Sequence, residues 1–187
     1  LDSKVLGLSR EEAREYERRI RTEWELYSES IDVDYYRRNN FKDLQQIAFE
    51  SALIDGDAFV LYQRERPIKQ TRPYTLKLQI IEGNRVSNPN GSSQATGITS
   101  YAKNGNRIVD GVETDEKGRL VAYWISSGVP EDITGDTGVK WSRVEAYGTR
   151  TGERNILQIC RDERAGMTRG IPILSPVIET IKQISRY

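Results

Sequence analysis

The chain has 187 residues, enough for one domain with a sizeable core or one domain with an appendage. Its 28 Lys and Arg balance 28 Asp and Glu, so the formal net charge is zero and the basic excess of a dedicated nucleic-acid binder is missing. With no His and one Cys, the sequence lacks the parts for His-based triads, His metal ligands, an internal disulfide or a Cys-rich zinc site.

Ser9 and Glu12 have capping-box spacing, with Glu11 also in the first turn, and open a first helix. Ala13, Tyr16, Ile20, Trp24 and Tyr27 follow at steps of three and four and make one apolar stripe. The remaining positions are mostly Arg and Glu, with Glu15 and Arg19, and Glu17 and Arg21, at i,i+4. That charged side reads as a solvated face, with a subunit interface as the alternative. Asn40 caps a second helix with Asp43 in its first turn, Phe41, Leu44, Ile47, Ala48 and Ala52 supply a buried stripe, and Gly56 is the stop. Asp57 to Arg64 reads as a strand, and the succession suggests a helix packed on a sheet. Arg64, Arg66, Lys69 and Arg72, among Pro67 and Pro73, form the most basic local patch. Balanced charge and the lack of an interleaved aromatic ladder favour a solvated loop tip over a phosphate or acidic-partner contact. Tyr74 to Glu82 is a second strand with Leu76, Leu78 and Ile80 on one face.

Asn84 to Asn106 is rich in Gly, Ser and Asn and reads as an irregular surface excursion, with a turn at Asn88-Pro89-Asn90-Gly91. Ile108 to Thr114 and Arg119 to Ser126 are two strands joined by the hairpin turn Asp115-Glu116-Lys117-Gly118. Ser127 to Gly138 is a further loop, and Val139 to Tyr147 and Ile156 to Cys160 are further strands. Cys160, in an apolar run, reads as a buried structural thiol suited to a reducing compartment. Arg169-Gly170-Ile171-Pro172 makes a sharp turn into a final helix, with proline tolerated in the first turn; alternatively Pro176 is that proline and Ser175 the cap. Val177, Ile178, Ile181 and Ile184 give this helix a packing face. Helices first, then mostly strands, then a helix define an α+β class: N-terminal helices packed on a mostly antiparallel sheet with hairpins, ending in the start of a long helix. No apolar stretch approaches the about 20 residues a bilayer span needs, and no signal peptide is visible, so the sequence reads as soluble. The chain opens at Leu1 and stops inside a helix, and therefore reads as a piece of a larger protein.

Enzyme signatures are missing: there is no GxxxxGK[ST] loop, no GxSxG elbow and no GxGxxG after a strand. The most enzyme-like string is Asp110 with Asp115-Glu116-Lys117, which a Mg²⁺-dependent nuclease could use as metal ligands and a water-orienting lysine. Glu116 and Lys117, however, fall at a hairpin tip, where charge serves solubility. The aromatic residues recur at periodic positions, so core or interface packing is favoured over base stacking.

Five ordered segments together resemble the lambda-type family of tailed-phage portal proteins. They are Trp24-Glu25-Leu26-Tyr27-Ser28 with Asp32-Val33-Asp34; Phe41-Lys42-Asp43-Leu44-Gln45 leading to Asp55-Gly56-Asp57-Ala58-Phe59; Glu82-Gly83-Asn84-Arg85-Val86-Ser87-Asn88-Pro89; Gly111-Val112-Glu113-Thr114-Asp115 with Gly118 and Ala122-Tyr123-Trp124; and Asp162-Glu163-Arg164-Ala165-Gly166-Met167-Thr168-Arg169-Gly170-Ile171-Pro172. The resemblance implies an N-terminal fragment of a structural, non-enzymatic protein: residues 1–174 a wing-like α+β domain, residues 175–187 the start of a helix leading toward a stem. It implies a dodecameric ring at a capsid vertex, a virion location with host cytoplasm during assembly, and no membrane. The implied partners are other portal subunits, the terminase, the capsid or scaffolding protein, head-completion proteins and double-stranded DNA passing through the channel. It implies no cofactor, metal or catalytic residue, and carries no DNA-contacting residue onto this sequence. The alternatives are a Mg²⁺-dependent nucleic-acid-processing or binding module, or another virion assembly protein.

Overall fold

The computed structural model describes residues 3–66, 73–89, 99–128, 139–161, 164–173 and 175–184. The described residues form four α-helices, α1 (Ser3–Leu6), α2 (Arg10–Glu29), α3 (Phe41–Asp55) and α4 (Ile178–Ile184). Their eight strands are β1 (Asp57–Arg64), β2 (Leu76–Glu82), β3 (Thr99–Tyr101), β4 (Arg107–Val109), β5 (Val112–Thr114), β6 (Leu120–Ser126), β7 (Trp141–Glu145) and β8 (Ile156–Cys160). The chain divides into two compact units, Leu1–Gln45 with Arg64–Leu78, and Gln46–Gln63 with Gln79–Tyr187.

In the first unit α2 begins as its sequence dictates. Ser9 Oγ accepts from Glu12 N at 3.2 Å and Ser9 N donates to Glu12 Oε2 at 2.8 Å, so two otherwise orphaned amides are satisfied. Of the apolar stripe only Ala13 and Tyr27 are buried; Tyr16, Ile20 and Trp24 are 51%, 55% and 48% exposed. Periodicity puts residues on one face but does not supply what covers it. The covered end is aromatic: Trp24 meets Phe41 edge-on at 5.0 Å, Tyr27 meets Tyr74 at 5.1 Å, and the Tyr27 hydroxyl donates to Leu76 O. Burial pushes the Tyr27 hydroxyl up to about 12.

Two acids organise the turn after α2. Asp32 is buried, and its Oδ1 lies 2.7 Å from Lys77 Nζ, itself buried and donating to Asp32 O. The carboxylate of Asp34 accepts from the amides of Tyr36, Arg38 and Asn39 and from the Asn39 side chain, which folds the turn back. Arg37 in that turn takes a φ of 58°. Asn40 Oδ1 then accepts from Asp43 N at 2.9 Å and starts α3, as expected. In β2 the expected apolar face is not the buried one: Lys77 and Ile81 are buried, whereas Leu76 is exposed. The ion pair with Asp32 draws Lys77 inward and sets the parity of the strand.

The second unit holds a five-stranded meander and most of a three-stranded sheet, whose β1 and β8 are antiparallel. The three-stranded sheet runs in the order β2-β1-β8, with Asp57 opposite Cys160 and Leu61 opposite Ile156. The five-stranded meander runs β3-β4-β5-β6-β7. Phe59, Ile81 and Ile156 from the first sheet and Val112, Tyr123 and Ile125 from the second share one core with Val86 and Ala146. Phe59 and Tyr123 meet edge-on at 5.3 Å, which places Tyr123 as core packing. Cys160 is only partly buried, because it ends the edge strand of its sheet.

Several expectations change here. Ile108 to Thr114 is not one strand: Asp110 and Gly111, with φ of 47° and 80°, turn the chain between β4 and β5. Asn84 to Asn106 is less irregular than expected, since Val86 bridges to Ile125 and residues 99–101 form β3. The turn at residues 115–118 does join β5 and β6, closed by Asp115 N to Arg119 O and Gly118 N to Asp115 O, both 2.9 Å. The final helix opens with a 3-10 turn at Ser175–Val177, and Val177, Ile178 and Ile184 are exposed rather than packed. The Asn90-Gly91 part of the predicted turn, most of Ser127 to Gly138 and the side chain of Ile181 lie outside the described residues. No helix among the described residues is long and apolar enough to cross a membrane.

Gly111 has both a positive φ and no room: an added Cβ would lie 2.5 Å from Ser87 N. Gly105 has a φ of +84° but open space around it. Gly111→Ala should therefore destabilise the chain by clearly more than the about 1 kcal/mol expected of Gly105→Ala, read from urea unfolding midpoints. Lys77→Met leaves Asp32 buried without its cation and should cost about 3–5 kcal/mol, most of it recovered in Lys77→Met with Asp32→Asn.

Candidate functional site

The acidic string singled out from the sequence is a turn device. Asp115 pairs with Arg119 at 2.7 Å, and its Oδ1 accepts from the amides of Lys117 and Arg119; these bonds hold its carboxyl below the usual range. The carbonyl of Asp110 faces Arg169 instead. Among the described residues no three His, Cys, Asp or Glu side chains come together in a metal-holding group. In the basic patch Arg64 and Arg66 are exposed, while Lys69 and Arg72 lie outside the described residues.

The structure instead brings together the second, third and fifth of the ordered segments, with Asp110 just ahead of the fourth. Arg169 lies between β8 and α4 and reaches the first residue of β1. Its Nε and Nη2 grip the Asp57 carboxylate at 2.5 and 2.8 Å. Nη2 also donates to Gly83 O at 2.7 Å, and Nη1 to Val86 O and Asp110 O, both at 2.8 Å. A guanidinium has five N–H donors in a planar fork, and all five have acceptors here. Its face lies over the Phe59 ring at 5.3 Å. The Arg169 side chain is 20% exposed and that of Asp57 1%. Asp57 Oδ2 additionally accepts from Gly170 N and Gln158 Nε2, each at 3.2 Å. Gln158 donates on to Thr168 O and accepts from the Tyr123 hydroxyl. Burial pushes that hydroxyl up to about 12.

Two glycines make the approach possible. A Cβ on Gly56 would lie 2.5 Å from Gly170 O, and one on Gly170 would overlap Gly56 O. Gly56 is thus more than a helix stop, and Gly170 is a contact point rather than only a turn. Gly83 is equally constrained, since a Cβ there would sit 2.6 Å from Asp57 Oδ1.

A second polar centre fixes the meander. Glu113 on β5 is fully buried, and Arg143 on β7 reaches it with Nε at 2.7 Å and Nη2 at 3.0 Å. Asn104, Asn106 and the Trp124 indole also donate to its carboxylate. Burial alone would raise this carboxyl, but the bonds from Arg143, Asn106, Asn104 and Trp124 outweigh it and bring it down to about 2. Both centres tie backbone and strands together.

Sequence reading missed the roles of Asp57, Arg169, Glu113 and Lys77. The available signal was a charge at the start of, or inside, a strand-like run, as in Asp57-Ala58-Phe59-Val60 and Leu76-Lys77-Leu78. A buried position for such a charge demands a partner.

Fold and site define an α+β scaffold whose motif residues serve architecture. The chain belongs to the phage portal proteins of the lambda family: the family model matches residues 1–187. That family is structural. The chain is 23% identical over 185 residues to portal protein B of Escherichia phage lambda, covering 97% of this chain and 31% of that protein. It is 27% identical over 113 residues to a probable portal protein of Halomonas phage phiHAP-1, covering 60% of this chain and 20% of that protein. The chain thus spans a third or less of the length of these curated relatives.

The Glu113 carboxyl is lower folded than its ordinary value of 4.5, so its contribution is fully present above the unfolded value and is lost as pH falls through about 2. The shift corresponds to a stabilisation on the order of 3 kcal/mol. Glu113→Gln should lower stability at pH 7 by a similar order and flatten the acid limb between pH 4.5 and 2, measured by urea unfolding across that range.

Proposed function

We propose that this chain is a segment of a portal ring at a capsid vertex, through which DNA is packaged and later ejected. The observation that carries this reading is the family match over the whole chain, together with the meeting of three family-like segments at one clasp. The ring is a dodecamer of portal subunits. Its further partners are the terminase, the capsid or scaffolding protein, head-completion proteins and double-stranded DNA in transit. Assembly takes place in the host cytoplasm. Residues 1–174 are the wing-like outer part, and residues 175–187 begin a helix directed toward the stem.

Two features support a structural conduit. Formal net charge is zero, and a conduit that gripped phosphates strongly would hinder sliding. Large apolar side chains stand exposed on α2 and around α4, among them Tyr16, Ile20, Ile173 and Ile178, as subunit contacts would require. The parent gene product, expressed at full length and viewed by negative-stain electron microscopy, should form closed rings with a central channel. Persistent monomer at high concentration would sink the proposal.

A further inference from the structure

Residues 164–173 and 175–184 form an arm on the rest of their unit. None of its described side chains is buried, and Ile171, Ile173, Val177, Ile178 and Ile184 are all exposed. The described residues of the arm contribute no strand. The arm's attachment includes a dense polar set: the five Arg169 bonds, Gly170 N to Asp57, Thr168 O from Gln158, and Ile173 N to Leu53 O at 3.3 Å.

Apolar contacts are non-directional and tolerate sliding, whereas a guanidinium fork satisfies five acceptors in one position only. The Gly56 and Gly170 backbones meet with no space for a side chain, which makes the seat equally exclusive. A small displacement therefore loses the whole set of bonds rather than a fraction of it. We propose that Arg169 is a releasable latch: the arm has a seated and a released state, and the guanidinium in the Asp57 seat fixes the direction in which the chain runs on into α4. The strands of the meander have their own ladders and their own buried Glu113–Arg143 pair, so release does not require them to unfold.

The test is hydrogen exchange of the 187-residue chain, followed residue by residue by NMR. Arg169→Gln alone would leave the Asp57 carboxylate buried without its cation, so it is combined with Asp57→Asn, which removes the stranded charge. In that double variant the amides of Gly170 and Ile173 should exchange faster by about a hundredfold, the scale of two lost hydrogen bonds from a charged donor, while the amides of β5, β6 and β7 keep their protection. Gly170→Ala, which leaves both charged groups in place but overlaps Gly56 O, should give the same pattern. Equal loss of protection in arm and meander would overturn the latch and make Arg169 a strut of the whole unit. Unchanged protection of Gly170 and Ile173 in both variants would overturn it as well. If the double variant fails to fold, Gly170→Ala decides the matter alone.

Discussion

Asp57 and Arg169 stand 112 residues apart in sequence and share a buried bidentate contact at 2.5 and 2.8 Å. The guanidinium reaches three backbone carbonyls as well, so four separate stretches of chain are fixed at one group. A buried ion pair of this kind adds little net stability over well-packed apolar residues, because desolvation offsets most of the attraction. Its value is geometric. An apolar cluster would accept many arrangements of the loop at Gly83 to Val86, the Asp110 turn and the β1 terminus, whereas the fork accepts one. The three tight glycines, Gly56, Gly83 and Gly170, follow from the same demand, since each lets backbone come close enough for the fork to close.

The same solution recurs. Lys77 meets Asp32 inside the first unit, and Arg143 meets Glu113 inside the meander. Asp34 neutralises a run of backbone amides without any cation. The apolar core of the second unit is a single cluster that includes Phe59 and Tyr123. Buried charges held by an opposite charge specify register where apolar packing is thin. Meanwhile many large apolar side chains lie on the surface, so the chain places polar groups inside and apolar groups outside more than an isolated domain needs to.

What could be read from sequence was local. Ser9 with Glu12, Asn40 with Asp43, and Gly56 are signals within one turn of chain, and they placed α2 and α3 correctly. The limits of β1 and β8 followed from apolar runs bounded by glycine or charge. The α+β class and the portal family were legible for the same reason, as ordered short segments. The Asp110-Gly111 turn was hidden because Ile108, Val109 and Val112 are all strand formers, and the turn is decided by two positive φ values and by Asn88 accepting from Gly111 N. The inward side of β2 was hidden because the partner of Lys77 lies on another element. Arg169 read only as the start of a sharp turn into the final helix, and the fold shows that its guanidinium reaches the start of β1. Exposure of the α2 stripe was equally beyond the sequence, since a periodic pattern cannot report whether its cover is present.

The position of β1 also carries a kinetic meaning. It is the central strand of its sheet, and one of its two neighbours is β8, whose partner residues lie about a hundred positions further along. The meander between them pairs only consecutive strands and can form early from local contacts. On a ribosome, β1 emerges long before β8 and Arg169, so its edge and the Asp57 carboxylate wait unsatisfied until the meander has been made. Synthesis order therefore makes closure of the three-stranded sheet a late event, one that occurs only on a chain that has already built everything in between.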